Sequence, residues 1–218
     1  MLGQCLAMYP LNRMKINARK RRFAPLLAPF NASVRDQMLT AEDALTENVT
    51  RHLGAIALCL KNNYRMPALA PIYCGVDIFA ALGRPQSRQY ATRHDFLRWR
   101  DRYLLPSTNL NCSAVDFYAA RCAVLHTYTS KSALSRKGQA REIVYAWGNK
   151  SSEELQRVID IAKMSSRYVV VHIDALASAF DKAVRAFVLE VMSDPKQEAD
   201  LYRRAGEFFK DTERIFDL

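Results

Sequence analysis

The sequence predicts a mainly helical protein with a small two-stranded β element inserted late in the chain. Only 7 glycines and 8 prolines occur in 218 residues, too few turn-forming residues for an all-β sandwich. Half of the residues are hydrophobic and a quarter are charged, which excludes a disordered or fibrous chain. Apolar residues recur at spacings of three and four through most of the chain, and this helical period changes to a strand pattern only after residue 140.

The first half of the chain is predicted to contain four helices. Their spans are about 43–62, about 67–82, about 92–105 and a fourth that begins at Ser113. The second helix is expected to stop at Gly83 and the third before Pro106, because glycine favours helix ends and proline cannot continue a helix. The hydroxyl of Ser113 can cap the fourth helix. Four helices in this order indicate a helical bundle.

The strand pattern occurs in two short segments, 141–147 and 167–173, which are rich in β-branched and aromatic residues. A helix over about 151–164 separates them, opened by Ser151 with Glu154 three residues later as a capping box. Strand, helix and strand in this order predict a small βαβ unit or a two-stranded ribbon.

Two further helices complete one predicted domain over residues 38–218. Asp174 caps the first, and Asp194 with Pro195 opens the last, which runs to about 210. The domain then has three parts: a helical core over about 43–130, a βαβ-like segment over about 141–173, and C-terminal helices over about 174–210.

The net charge of +10 is concentrated at the start of the chain. Residues 1–35 contain seven basic side chains and no acidic one, which leaves 25 basic and 22 acidic residues for the remainder. Residues 1–37 are therefore predicted to be a basic, flexible leader. Its basic run either binds nucleic-acid phosphates or is simply solvated. This run consists of Arg19, Lys20, Arg21 and Arg22.

The sequence lacks the common cofactor and metal motifs, and it also bears on the cellular compartment and on membrane association. It has no Gly-rich phosphate loop, no nucleophile elbow, no HExxH and no paired-cysteine frame, so no cofactor and no metal are expected. Five scattered cysteines, an odd number, fit a reducing compartment, and a cytoplasmic location is expected. Charged or polar residues interrupt every apolar stretch, so no membrane partner is expected.

One pair of residues in the fourth helix forms a recognisable motif. The segment Ala120–Thr127 reads ARCAVLHT, with Arg121 five positions before His126. This RxxxxH, near the end of a helix that follows two long hydrophobic ones, resembles the HEPN superfamily, and the resemblance covers residues from about 43 to 130. The residue after the arginine is Cys122, whereas many members have a polar residue there. The resemblance implies a HEPN-like bundle with Arg121 and His126 as its catalytic residues.

The two residue types suit metal-independent cleavage of RNA. A base must take the proton of the 2′-hydroxyl, and an imidazole, with a reference pKa near 6.5, suits that role at neutral pH. A fixed cation must stabilise the charge that accumulates on the phosphate oxygens, and a guanidinium binds those oxygens bidentately without losing its charge.

The spacing of Arg121 and His126 restricts how they can meet. Five residues at about 100° each place their Cα atoms roughly 140° apart around the helix. The arginine must therefore curl back toward the histidine, or a second subunit must complete the site. Thr127 and Tyr128 follow at once and are expected to rim the site.

Arg121 can instead be a structural residue that pairs with a helix carboxylate, for which Asp77 and Asp116 are the candidates. If Asp77 faces Arg121, it either orients the guanidinium for catalysis or neutralises it. The sequence leaves both interpretations open.

The resemblance implies an endoribonuclease of a toxin–antitoxin or defence system, with RNA as its substrate. It also implies a homodimer, because HEPN motifs often face one another across a cleft, and an antitoxin or nucleotidyltransferase partner. Two alternatives involve no catalysis. One is a HEPN-type protein that uses the same fold to bind RNA, a nucleotide or a partner, and the other is a helical interaction subunit whose Phe, Trp and Tyr stripes make contacts.

Overall fold

The computed structural model describes residues 41–108 and 110–208, which belong to one compact unit. The predicted leader over 1–37, with Arg19 to Arg22, lies outside the described residues. The helices are α1 (Ala41–Lys61), α2 (Arg65–Leu82), α3 (Arg93–Trp99), α4 (Ala114–Thr127), α5 (Ala133–Arg136), α6 (Ser152–Ile161), α7 (Ile173–Val191) and α8 (Pro195–Phe208). The strands are β1 (Glu142–Ala146) and β2 (Tyr168–His172). The predicted class, mainly helical with a small two-stranded β element, is confirmed.

The third helix differs from its prediction. Only Arg93–Trp99 is α-helical, and a π-helical turn over Arg100–Leu104 and a 3₁₀ turn over Leu105–Ser107 complete the predicted span. In the wider π turn Leu105 N–H donates to Arg100 C=O, and the buried Arg100 side chain donates to Cys112 C=O at 2.8 Å. Apolar spacing at three and four does not distinguish an α from a π turn, so no sequence pattern indicated the π turn.

The prediction also lacked the four-residue helix α5. Its N-cap is Ser132, whose hydroxyl accepts from Ser135 N–H at 3.1 Å, and Ser132 N–H donates back to the Ser135 hydroxyl at 2.9 Å. A single turn is too short to show a helical period, and two serines form a weaker signal than Ser with Glu.

The two strands are parallel. Glu142 pairs with Tyr168 and Ala146 with His172, and α6 provides the connection, so the βαβ alternative is correct and the ribbon is not. The Gln156 side chain on α6 accepts from Val170 N–H at 2.9 Å, which satisfies a backbone donor on β2 that the ladder does not use.

The core is built around α2 and α7. An aromatic cluster joins them to α3, with ring centroids 5.8–6.2 Å apart, and consists of Phe79, Trp99, Phe180 and Phe187. On the opposite side of α2, the hydroxyls of Tyr73 and Tyr145 are 2.5 Å apart and connect the helix to β1. Burial raises the pKa of both tyrosines, so they remain neutral hydrogen-bonding groups.

The last helix, α8, holds the carboxyl end of α2. Arg204 is 1% exposed and donates to Leu82 C=O at 2.9 Å and to Arg84 C=O at 2.6 Å. Asp200 balances its charge at 2.7 Å. The carbonyls that end a helix have no partner within it, so this arginine supplies the donor that α2 needs.

Within the described part of the chain, α2 is long and apolar enough to cross a membrane by length and composition alone. Half of it is buried among the protein's other elements, and core helices of soluble proteins share this profile.

Candidate functional site

Helix α4 carries both residues of the RxxxxH motif. Its start is fixed by a capping box, in which Ser113 Oγ accepts from Asp116 N–H and Asp116 accepts from Ser113 N–H. Its end is fixed by Tyr128, which adopts the left-handed conformation (φ 52°, ψ 36°). His126 therefore lies in the last turn, exposed to solvent.

Helix α2 places a carboxylate beside this motif. The rings of Tyr73 on α2 and Phe117 on α4 are in contact, with centroids 5.0 Å apart. Asp77 and Arg121 lie four residues further along their helices, so the same packing brings the next turns together. Arg121 Nε donates to Asp77 Oδ2 at 2.8 Å, and Arg121 Nη2 lies 2.7 Å from the same oxygen.

The guanidinium also reaches the histidine within one chain. Arg121 Nη1 is 3.3 Å from His126 Nε2, so the arginine curls back as one of the two expected arrangements requires. A guanidinium can only donate, which makes Nε2 the acceptor and leaves the ring proton on Nδ1. The row Asp77, Arg121 and His126 thus places the acceptor nitrogen of a neutral imidazole in contact with the guanidinium.

The surroundings of the Asp77–Arg121 pair disfavour the charge on Asp77. Burial raises the pKa of Asp77, and the hydrogen bond and charge of Arg121 lower it only in part. The side chains keep 32% and 22% of their surface exposed, for Asp77 and Arg121 respectively. Burial also raises the pKa of the nearby Cys74 thiol, with a contribution from the Asp77 charge. This is a partly desolvated ion pair open to solvent on one side, which an anionic ligand can approach.

Asp116 does not join this row. It accepts from the backbone N–H of Arg141 at 2.7 Å and from the Arg141 guanidinium at 2.8 and 3.0 Å. Asp116 therefore ties α4 to the start of β1, which is a structural role. Of the two carboxylates considered as partners of Arg121, the structure selects Asp77.

The expected rim residues are near His126 but are engaged in the turn that ends α4. Thr127 Oγ1 lies 2.9 Å from Ala123 C=O, to which it donates, and 2.8 Å from Thr129 Oγ1. Tyr128 is half-exposed at the helix end. No hydrogen bond joins Thr127 or Tyr128 to Arg121 or His126 among the described residues.

Two residues near Arg121 were missed by the sequence reasoning. Tyr118 lies one turn before Arg121 on α4, and the guanidinium of Arg93, from the start of α3, lies 4.6 Å from the centre of its ring. The spacing of Tyr118 and Arg121 is a signal that was available in the sequence. Arg93 reaches the site from another helix, and no sequence pattern marks such a contact.

Among residues 41–108 and 110–208, no three histidine, cysteine, aspartate or glutamate side chains come together as a metal site would require. The chemistry of the row depends on a base, a cation and a carboxylate.

Comparison of the chain with protein family models, curated proteins and solved structures gives no match.

Proposed function

We propose that this protein is a HEPN-like, metal-independent endoribonuclease. The observation that supports it best is the row Asp77, Arg121 and His126, in which one guanidinium contacts a carboxylate at 2.8 Å and an imidazole nitrogen at 3.3 Å. His126 is exposed, so a substrate can reach its ring, and the hydrogen bond from Arg121 to Nε2 must break before this nitrogen acts as a base.

In the proposed reaction, Arg121 Nη1 first turns from His126 Nε2 to the phosphate, which frees the only lone pair of Nε2. His126 Nε2 then takes the proton of a ribose 2′-hydroxyl, and the resulting oxyanion attacks the adjacent phosphorus. The P–O5′ bond breaks, and the departing 5′-oxygen takes a proton from water. The products are a 2′,3′-cyclic phosphate and a 5′-hydroxyl, and the proton on His126 returns to solvent.

Arg121 stabilises the negative charge that accumulates on the nonbridging phosphate oxygens. Asp77 is a positioning residue, because it binds the Nε side of the guanidinium and so fixes the direction of its remaining N–H groups. A phosphate that approaches the row meets a cation whose orientation is already set.

Cleavage of single-stranded RNA in EDTA tests the proposal. We expect wild-type protein to leave a 2′,3′-cyclic phosphate and His126→Ala to be slower by roughly 10²- to 10⁴-fold. DNA of the same sequence should stay intact because it lacks the 2′-hydroxyl. His94→Ala, which removes an exposed histidine from α3, is the matched control and should cleave like wild type. Cleavage that requires a divalent metal, or that survives His126→Ala in a folded protein, contradicts the proposal.

Arg121→Lys separates a phosphate-binding arginine from a simple positive charge. We expect it to be nearly as damaging as Arg121→Ala, because an ammonium keeps the charge but loses the planar fork. Circular dichroism should show both variants folded, since Arg121 also pairs with Asp77. Near-normal cleavage by Arg121→Lys would show that a positive charge at this position is enough and that the planar guanidinium is not needed.

The cellular role that we propose is that of a toxin or defence ribonuclease in the cytoplasm, neutralised by an antitoxin or nucleotidyltransferase partner. Expression of wild type should arrest growth and fragment cellular RNA, whereas His126→Ala at equal abundance should do neither.

A helical interaction subunit is the second candidate, favoured by α6. Val158 and Ile161 lie one turn apart on this helix and are 61% and 82% exposed. Exposed aliphatic neighbours are typical of contact surfaces. Val158→Glu with Ile161→Glu should abolish partner association and leave RNA cleavage unchanged if both functions exist. Loss of association without any cleavage by the wild type would favour this candidate.

A further inference from the structure

A groove with a volume of about 360 Å³ opens directly beside the Asp77–Arg121 pair. Its lining comes mainly from α2, α3 and α4 and includes Asp77, Ile78, Arg93, Phe96, Tyr118 and Arg121. The volume falls near the lower end of the range for small-molecule sites, about 300–1,000 Å³, and suits one nucleotide unit of a single strand.

Arg93 gives the groove a net positive charge. Its guanidinium lies 4.6 Å from the centre of the Tyr118 ring, and no described carboxylate lies within ion-pair distance of it. Two neighbouring arginines behave differently, because Arg88 and Arg98 both pair with Asp95. Asp77 balances Arg121, so among the residues that the structure describes the groove keeps one uncompensated cation, which suits a phosphodiester.

The rest of the groove lining is mainly apolar and aromatic. The Phe96 side chain is buried, and its ring meets the Tyr118 ring edge-on with centroids 5.5 Å apart. Ile78 adds a half-buried aliphatic surface from α2. A partly exposed aromatic and aliphatic surface, formed by Tyr118 and Ile78 beside a cation, matches a nucleotide, whose base packs on this surface while its phosphate meets the cation.

We propose that this groove is a nucleotide-binding subsite that holds the unit of single-stranded RNA next to the scissile phosphate. Arg93 binds the neighbouring phosphate, and the Tyr118 ring, one turn from Arg121 on α4, contacts the base. This inference rests on the proposed ribonuclease function, because it takes the substrate to be RNA and the scissile phosphate to lie on Arg121.

Binding of a short fluorescein-labelled 2′-O-methyl oligoribonucleotide tests the subsite without cleavage. Methylation removes the nucleophilic hydroxyl, so fluorescence anisotropy reports affinity alone. Arg93→Ala and Tyr118→Leu should each raise Kd by about tenfold, and Arg93→Ala should reduce the dependence of log Kd on log salt by about one. Arg157→Ala is the matched control: it removes the same charge from an exposed arginine on α6 that does not line the groove, and it should leave Kd within about twofold of wild type.

Tyr118→Phe protects the test against a folding artefact. It keeps the ring and removes only the hydroxyl, so binding near the wild-type level is expected, and a tenfold loss of affinity in folded Tyr118→Phe would contradict contact between the ring and the base. Wild-type affinity in both Arg93→Ala and Tyr118→Leu overturns the subsite.

The subsite and the ribonuclease can fail separately. If wild type binds the oligonucleotide, Arg93→Ala weakens binding and ordinary RNA is never cut, then the groove binds nucleotides and the proposed function is wrong. If wild type cuts RNA and Arg93→Ala changes neither Kd nor KM, then the function stands and the subsite is wrong.

Discussion

The carboxyl group of Asp77 lies in an environment that disfavours its ionised form, although it faces an arginine. Burial raises its pKa above the ordinary value, and Arg121 offsets this only in part. A carboxyl with a raised pKa contributes most to stability below its unfolded pKa, and that contribution is lost as the pH rises through the folded value. At neutral pH the ionised group therefore costs stability, which is common at functional sites.

Asp77→Asn tests this interpretation. The amide oxygen can still accept from Arg121 but carries no charge, so the melting temperature at pH 7 should not fall below that of wild type. If Asp77 positions Arg121 for catalysis, kcat should fall by about 10- to 100-fold. Asp77→Glu, which keeps the charge, should recover part of this loss. A large drop in melting temperature with unchanged kcat would make the pair purely structural.

At the scale of elements, Asp116 joins α4 to β1. Its pKa is lowered, in contrast to the raised pKa of Asp77. Burial alone would raise its pKa, but hydrogen bonds from Arg141 and Ser113 outweigh burial and lower it. A carboxylate with a lowered pKa contributes stability above its unfolded pKa, near 3.9, and loses that contribution as the pH falls through the folded value. The junction of α4 and β1 should therefore weaken in acid.

Asp116→Asn measures this contribution by urea unfolding at pH 7 and pH 3. At pH 7 we expect a loss of about 1–3 kcal/mol, because an amide cannot replace a carboxylate that accepts from both backbone and guanidinium. The difference from wild type should shrink at pH 3. Asp181→Asn, in the exposed pair with Arg185 on α7, should change stability by less than about 1 kcal/mol. A loss for Asp116→Asn that is equal at both pH values would contradict the lowered pKa.

Close packing of α2 on α1 and α7 depends on one glycine. A Cβ atom added at Gly75 would lie 2.2 Å from Phe180 Cζ and 2.7 Å from His52 Nε2. Phe180 is fully buried and cannot move aside, so Gly75→Ala should destabilise by about 1–3 kcal/mol despite the better helix propensity of alanine. Gly54 on α1 is exposed, and a Cβ atom added there would have no neighbour within 4 Å. Gly54→Ala should therefore stabilise the protein by about 0.5–1 kcal/mol. Thermal unfolding measures both melting temperatures. A shift of the two in the same direction would contradict the packing argument.

Prediction of elements from the sequence succeeded at several local signals but was wrong at Asp174, which lies inside the first turn of α7, whereas the N-cap is His172. Ser113 and Ser151 both act as N-caps of helices that begin at the next residue, as predicted. The capping box predicted for Ser151 is incomplete, because its hydroxyl accepts from Glu154 N–H but the Glu154 side chain does not bond back to Ser151 N–H. The π turn after Trp99 was missed because it depends on tertiary contacts of the buried Arg100. In the candidate site, the approach of Asp77 to Arg121 was foreseen as an option, whereas the role of Arg93 was not. Its contact with Tyr118 joins two helices whose relative placement no local pattern specifies.

At the scale of the whole molecule, the protein is predicted to be a homodimer. Two reasons favoured a homodimer: the resemblance to HEPN proteins and the poor alignment of Arg121 with His126 in one chain. The second reason no longer holds, because the two side chains meet without another copy. We still predict a homodimer on the resemblance, and light scattering at micromolar concentration should give about twice 24.9 kDa. A strict monomer that cleaves RNA would show that one chain carries a complete site.

The contact between Arg204 and the end of α2 has a consequence for the order of events during synthesis. Arg204 follows Arg84, whose carbonyl it binds, by 120 positions. At about 5–20 residues per second, the ribosome needs on the order of 10 s to add that stretch. Until then the carboxyl end of α2 lacks its buried donor, and the groove beside Asp77 lacks Phe208 from its lining. The groove is therefore completed only once residue 208 has been synthesised, whereas Asp77, Arg121 and His126 enter the chain well before that point.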